Sequence, residues 1–205
     1  MDVVCLDLEG VLVPEIWIQF AESTGIEEFK ATTRDVPDYD ELMQQRLSLL
    51  SKHDLNLANI QLVIAEMAPF PGAKDFLDDL RKNYQLIILS DTFYEFAQPL
   101  MQQLDWPTLF CHRLKVSEDG QVVGYNLRQV DAKRKSVQFL KQLNFKVYAA
   151  GDSYNDTGML QEADAGFLFR APDRVVAEFP QFPVCAGYNE LRQLIDQAAE
   201  LSEAP

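Results

Sequence analysis

Asp7 and Glu9 stand one residue apart, directly after the apolar run Val3-Val4-Cys5-Leu6 and just before Gly10-Val11-Leu12-Val13. An apolar run of this length bounded by glycine reads as a strand covered on both faces, and in open α/β sheets ligands sit just beyond the carboxyl ends of such strands. An isolated Asp-x-Glu is ordinarily a solvated turn. Here two further apolar runs end in the same way: residues 85–89 lead into Ser90-Asp91-Thr92, and residues 146–150 into Gly151-Asp152-Ser153-Tyr154-Asn155-Asp156. If these strands are adjacent and parallel, Asp7, Glu9, Ser90, Asp152 and Asp156 converge on one edge and form an oxygen-rich cluster suited to a hard cation such as Mg²⁺. Carboxylates crowded in this way are costly without a cation. Lys133, in Asp131-Ala132-Lys133-Arg134-Lys135, opens a helix, where its charge opposes the macrodipole unless an anion faces it.

Arg46 is a separate clue. Leu42, Met43, Leu47, Leu49 and Leu50 define an apolar stripe on one helix, and at roughly 100° per residue Arg46 falls near its middle. A guanidinium there snorkels to solvent, pairs with a core carboxylate, or points at a ligand anion. The Phe93, Tyr94 and Phe96 cluster reads as core packing, and His53 and His112, which lack ligand spacing, read as structural or surface residues.

The elements that must position these residues alternate. A helix over 16–23 ends at Gly25, a polar connection spans 32–40, Asp38 caps a helix running to about residue 52, and a third helix over 60–67 is capped by Asn56 or Asn59. An amphipathic helix after Phe70-Pro71-Gly72 precedes the strand over 85–89. Then come a helix broken near Pro99, a hairpin of 109–116 and 122–127 around Ser117-Glu118-Asp119-Gly120, and a helix over 132–143. The strand over 146–150 is followed by a helix from about Asp156, a strand over 166–169, a short helix after Pro172 and a C-terminal helix over 189–199. Strands alternating with helices imply an α/β fold, a Rossmann-like doubly wound mainly parallel sheet. The helices between the first two strands exceed what one crossover needs. Residues 14–69 are therefore expected to be a small helical cap inserted after the first strand, with 1–13 and 70–205 as the discontinuous catalytic core.

The 205 residues, 47% of them hydrophobic, suffice for one such domain carrying an insertion. With 18 basic against 32 acidic residues the net charge is −14, which disfavours nucleic acid and anionic membrane; any phosphorylated ligand would have to be held by local cations. Cys5, Cys111 and Cys185 lack metal-type spacing and read as buried thiols of a cytoplasmic protein. Neither a leader peptide nor a spanning segment is expected, and the acidic tail reads as solvated. The residues do not choose between monomer and homodimer.

Asp7-x-Glu9-x-Val11, Ser90, Lys133 and Gly151-Asp152-x-x-Asn155-Asp156 together resemble the four motifs of the haloacid dehalogenase-like phosphatases, in order across nearly the whole chain. Within them the chain resembles phosphoserine phosphatases. Asp7-Leu8-Glu9-Gly10-Val11-Leu12-Val13-Pro14-Glu15, Thr32-Thr33-Arg34-Asp35, Pro37-Asp38-Tyr39-Asp40 and Ser90-Asp91-Thr92-Phe93-Tyr94 are closest to the branch that combines phosphoserine phosphatase with phosphoserine:homoserine phosphotransferase activity.

The resemblance implies Mg²⁺ held by Asp7, the Glu9 backbone carbonyl and Asp152, with Asp156 orienting them. It further implies Asp7 as the nucleophile that forms an aspartyl phosphate, and Glu9 as proton donor and acceptor. Ser90, the Asp91 amide, Lys133 and Asn155 would hold the phosphoryl group, Arg46 the substrate carboxylate and Glu15 its ammonium. The family usually has Asp where this chain has Glu9, whose extra methylene moves the proton-transferring oxygen by about one bond length. Asp91 and Thr92 replace two glycines common after the motif-two serine. Phosphoserine would donate to water or homoserine. A phosphatase for another small phosphomonoester is the alternative, and a non-catalytic binding module on the same fold a third; no glycine-rich loop of the Gly-x4-Gly-Lys-Ser/Thr type supports a kinase.

Overall fold

Strand β1 (Asp2–Leu6) sends Val4 and Leu6 into one hydrophobic cluster and Val3 and Cys5 into another, so it is buried on both faces. The computed structural model describes residues 1–32, 35–36 and 38–203. Thr33, Arg34 and Pro37 of the motifs above, and the last two residues of the acidic tail, lie outside the described residues.

After β1 come α1 (Ile16–Thr24), a 3₁₀ turn (Glu27–Lys30), α2 (Tyr39–Lys52), α3 (Leu57–Glu66) and α4 (Ala73–Leu80). Gly25 closes α1 at a φ of 71°, a left-handed conformation that glycine adopts without a Cβ penalty. Asp38 caps α2 by accepting the Glu41 N–H, and Asn56 and Asn59 cap α3 reciprocally.

Next are β2 (Gln85–Phe93), α5 (Tyr94–Gln103), β3 (Thr108–Val116), β4 (Val122–Asn126), α6 (Ala132–Gln142) and β5 (Lys146–Gly151). A 3₁₀ turn (Tyr154–Asp156) leads to α7 (Thr157–Glu162), β6 (Ala165–Phe169), α8 (Asp173–Glu178), β7 (Val184–Cys185) and α9 (Tyr188–Glu203). The sheet order is β4-β3-β2-β1-β5-β6-β7, and all neighbours are parallel except the β3–β4 hairpin. From β1 the chain builds outward through β2 and β3, then returns to the other flank of β1 as β5. Strand order therefore reverses at β1/β5, the crevice where α/β sheets bind ligands. Both sheet faces are covered, as the α/β reading requires.

Three expectations need correction. Helix α5 is not broken at Pro99, which lies inside it. Proline has no N–H for the carbonyl four residues earlier, and that carbonyl, of Glu95, accepts instead from Gln61 Nε2 at 2.8 Å. Strand β2 continues past Leu89 to Phe93, because its pairing with β3 resumes after an irregularity: Leu89 faces Phe110 and Phe93 faces His112. Helix α9 runs on to Glu203, into the segment read as a solvated tail, and the two-residue β7 is too short to leave a periodic signal. Among the described residues no helix is long and apolar enough to cross a membrane.

Candidate active site

Asp7 follows β1 and Asp152 follows β5, and the Asp7 N–H donates to the Ala150 carbonyl at 3.0 Å, which extends the ladder to Asp7 itself. The next turn is tight. Gly10 has a φ of 80°, and a Cβ there would lie 2.4 Å from the Asp152 carboxyl carbon, so only glycine lets the two strand ends approach. Gly151 serves the same purpose on β5, where a Cβ would lie 2.4 Å from Asp156.

Asp156 is fully buried and organises this edge. Its Oδ2 accepts the Asp152 and Ser153 N–H groups at 3.0 and 3.1 Å, while Oδ1 accepts from Lys133 Nζ at 2.6 Å. Lys133, in the first turn of α6, also lies 2.9 Å from Asp7 Oδ1 and 3.8 Å from Asp91 Oδ2. Three carboxylates thus face the cation that its helix position disfavours. Burial alone would lower the Lys133 pKa, but Asp156, Asp7 and Asp91 raise it well above the ordinary value, so it stays charged.

The carboxyls carry the opposite strain. Burial, then repulsion from Asp156 and Asp152, raises Asp7 well above its ordinary value despite Lys133. Burial and Asp156 push Asp152 up to about 7. Glu9 is raised to about 8 by burial and by Glu15, although its Oε2 accepts the Ile16 N–H at 2.9 Å. A protonated carboxyl beside an acceptor site can donate a proton near neutral pH.

Ser90 is buried, and its Oγ accepts the Thr92 N–H at 3.2 Å, which leaves the hydroxyl proton for another acceptor. The β2 irregularity covers Ser90-Asp91-Thr92, and all three residues line the cavity described next. Asp91 Oδ2 accepts from Asn155 Nδ2 at 3.0 Å. Although burial opposes it, Lys133, His112 and Asn155 hold the Asp91 carboxyl far below the usual range.

These groups line one cavity of about 840 Å³. Asp7, Glu9, Ser90, Asp91, Lys133, Asp152 and Asn155 lie on the sheet side, and Glu15, Trp17, Tyr39 and Arg46 on the helices that follow β1. Asp156 stands behind this wall. Every site residue expected from sequence is therefore in the cavity lining or one contact from it. Arg46 is only 8% exposed, donates to the Ala31 carbonyl at 2.9 Å, and has no hydrogen-bond partner at Nε.

Among the cavity-lining residues that sequence reasoning left out are His112, Trp17 and Tyr39. His112 lines the cavity, and it is buried rather than at the surface. Its Nδ1 accepts the Arg128 N–H at 3.1 Å, so Nε2 carries the proton toward Asp91 Oδ1, 3.5 Å away. The one available signal was a polar residue inside an apolar strand. Trp17 and Tyr39 have periodic positions indistinguishable from core aromatics, and only the fold brings them here.

The donor set fits a hard divalent cation. One oxygen each from Asp7, Asp152 and Asp156 lie within 4.8 Å of one another, a cluster of carboxylate oxygens of the kind hard cations take. Both Asp156 oxygens are already committed to Lys133 and to backbone amides. Asp7 and Asp152 are the carboxylates left to ligate.

An aspartate-tipped central strand, a lysine from a later helix and a second acidic strand end define a hydrolase class: residues 1–164 match the model of the haloacid dehalogenase-like hydrolases, and the chain belongs to that family. Within it, the chain is 59% identical over 202 residues to "Phosphoserine phosphatase ThrH" of Pseudomonas aeruginosa, covering 98% of each protein. It is 61% identical over 193 residues to a phosphoserine phosphatase of Pseudomonas syringae pv. tomato, covering 94% of this chain and 81% of that one. Among solved structures, a phospho-aspartyl intermediate analogue of phosphoserine phosphatase superposes with a TM-score of 0.76 at 22% identity, over 96% of this chain and 98% of that one. A substrate-bound phosphoserine phosphatase gives 0.76 at 20%, over 96% and 97%. At that identity the superpositions establish the fold.

Proposed function

We propose that the protein transfers the phosphoryl group of O-phospho-L-serine through an aspartyl phosphate on Asp7, to water and to L-homoserine. The observation that carries this reading is the Asp7 carboxylate 2.9 Å from Lys133, with a protonatable Glu9 two residues on and Arg46 across the same cavity. The names of the two Pseudomonas relatives support the phosphoserine substrate. Transfer to homoserine rests on the sequence resemblance and on a cavity with room for an acceptor.

Asp7 attacks phosphorus as the bond to the serine oxygen breaks, and Glu9 gives its proton to that oxygen. Serine leaves. Glu9, now a carboxylate, takes a proton from water or from the homoserine hydroxyl, whose oxygen attacks phosphorus and returns Asp7 to its free form. Lys133, the Ser90 hydroxyl, the Asp91 amide and Asn155 balance charge on the equatorial oxygens, where positioning and electrostatics supply most of the catalysis. Mg²⁺, held by Asp7, Asp152 and the Glu9 backbone carbonyl and kept in place through Asp156, would neutralise phosphate charge and keep Asp7 ionised. Arg46 takes the substrate carboxylate and Glu15 the ammonium. Residues 14–69 act as the cap that shields this step, in a protein of the cytoplasm.

Rapid quenching with labelled phosphoserine tests the nucleophile. Wild type should trap close to one equivalent of protein-bound phosphate and Asp7→Asn none; label persisting on Asp7→Asn would refute the assignment. Mixing phosphoserine, L-homoserine and Mg²⁺ should yield O-phosphohomoserine, and free phosphate alone would remove the transferase claim.

A further inference from the structure

Arg46 is charged and buried, yet among the described residues no carboxylate lies within ion-pair distance of it. Its single strong hydrogen bond goes to the Ala31 carbonyl at 2.9 Å; the Met43 sulfur, 3.8 Å from Nη1, is a weak acceptor. One bond does not fix the plane of a guanidinium at the end of a flexible stem. A further constraint, beside the longer-range pull of Tyr39, Glu9 and Glu15, is an aromatic face: Arg46 Cζ lies 4.7 Å from the ring centroid of Trp17.

That ring is itself held on several sides. Trp17 stacks on Phe29 at 5.6 Å and 22°, and meets Phe20 and Phe96 edge-on at 6.0 and 5.4 Å. All three phenylalanines are fully buried, and Phe96 comes from α5, beyond β2 in the chain. The indole is therefore a platform braced from α1, the Glu27–Lys30 turn and α5. A cation over such a face is attracted by the ring quadrupole, and the attraction grows as water is excluded. The contact places the cation over the ring and consumes no N–H, and Nε has no partner, so donors remain for a carboxylate, which a guanidinium grips with two parallel bonds.

We propose that Trp17 is a positioning residue for substrate selection: it supports the Arg46 charge and fixes its plane so that the free donor edge meets the α-carboxylate of an amino-acid phosphate. The proposal rests on the reading that Arg46 binds that carboxylate. If Trp17 only filled space, its loss would weaken every phosphomonoester alike. As a platform, its loss acts only on substrates that carry the carboxylate.

The test compares phosphoserine with O-phosphoethanolamine, which is phosphoserine without its carboxylate, in wild type, Trp17→Phe, Trp17→Leu and Arg46→Ala. Trp17→Leu should raise KM for phosphoserine about tenfold, as expected for loss of a desolvated cation–π contact, with kcat nearly unchanged. Trp17→Phe, which keeps a ring on the Phe29 stack, should retain most of the affinity. O-phosphoethanolamine constants should change much less than those of phosphoserine. Equal losses on both substrates, or an unchanged ratio in Trp17→Leu while Arg46→Ala collapses it, would overturn the proposal. An unchanged ratio in Arg46→Ala would instead refute the carboxylate reading itself.

A binding measurement covers poor folding of Trp17→Leu. The chain has two tryptophans, and Trp106 is exposed and outside the cavity lining, so Trp106→Phe makes Trp17 the sole indole. L-serine should change its emission and ethanolamine should not. Identical responses to the two would count against Trp17 as the platform.

Discussion

In the proposed mechanism, Glu9 is the residue on which leaving-group chemistry turns. Its carboxyl is raised to about 8 by burial and by the neighbouring Glu15, so it holds a proton for the serine alkoxide at neutral pH. A serine oxygen is a poor leaving group without that proton, whereas 4-nitrophenolate leaves unaided. Glu9→Gln should therefore cost about 10²–10³-fold in kcat on phosphoserine, the usual worth of a positioned acid. With 4-nitrophenyl phosphate the same variant should release about one equivalent of nitrophenol quickly and then slow, because water still lacks its base in the second step. Stopped-flow absorbance checks this, and loss of the fast phase would show that Glu9 does something other than protonate the leaving oxygen.

At the scale of elements, two glycines set how near the strand ends come. A methyl group on Gly151 would lie 2.4 Å from Asp156, which is fully buried and holds both Lys133 and the turn carrying Asp152. Gly151→Ala should cost about 1–3 kcal/mol of stability as an overpacked core position, and should lower kcat at least tenfold by displacing Lys133. Gly187→Ala, where a Cβ meets nothing within 4 Å, should melt and turn over like wild type. Thermal melts and steady-state assays of the pair separate close approach from a general intolerance of alanine.

Elements of this kind were legible where the signal is local. The run Val3-Val4-Cys5-Leu6 announced a strand buried on both sides, Asp38 and the choice of Asn56 or Asn59 announced their helices, and Lys133 at a helix start announced its anionic partners. What stayed hidden depends on contacts distant in the chain. Pro99 signals a break, yet a side chain from α3 satisfies the carbonyl it orphans. Ser90-Asp91-Thr92 signals a strand end, yet pairing resumes at Phe93. Trp17 has the spacing of a core aromatic; nothing in its own helix says that an arginine from the next one will lie over it.

At the scale of the whole molecule, the site works against the stability of the protein that holds it. Asp7 is raised well above its ordinary value, Asp152 to about 7 and Glu9 to about 8. A carboxyl whose pKa is higher folded than unfolded binds its proton more tightly in the native state, so it destabilises the fold once ionised. The penalty is absent below the unfolded values near 4 and grows as pH rises through the folded values; the Asp152 and Glu9 parts are complete above about pH 8. Metal-free protein should accordingly lose thermal stability between pH 5.5 and 8. A divalent cation on Asp7 and Asp152 binds the ionised forms, so its stabilisation has the opposite trend. At about one hundred times its dissociation constant it contributes about 2.7 kcal/mol, or roughly 5–10 °C for a chain of this size. Melting curves with Mg²⁺ and with a chelator should differ by that amount at pH 8 and converge toward pH 5.5, while Asp152→Asn should be more stable than wild type in chelator at pH 8 and gain little from Mg²⁺. A Mg²⁺ increment equal at both pH values would mean that these carboxylates do not carry the ion.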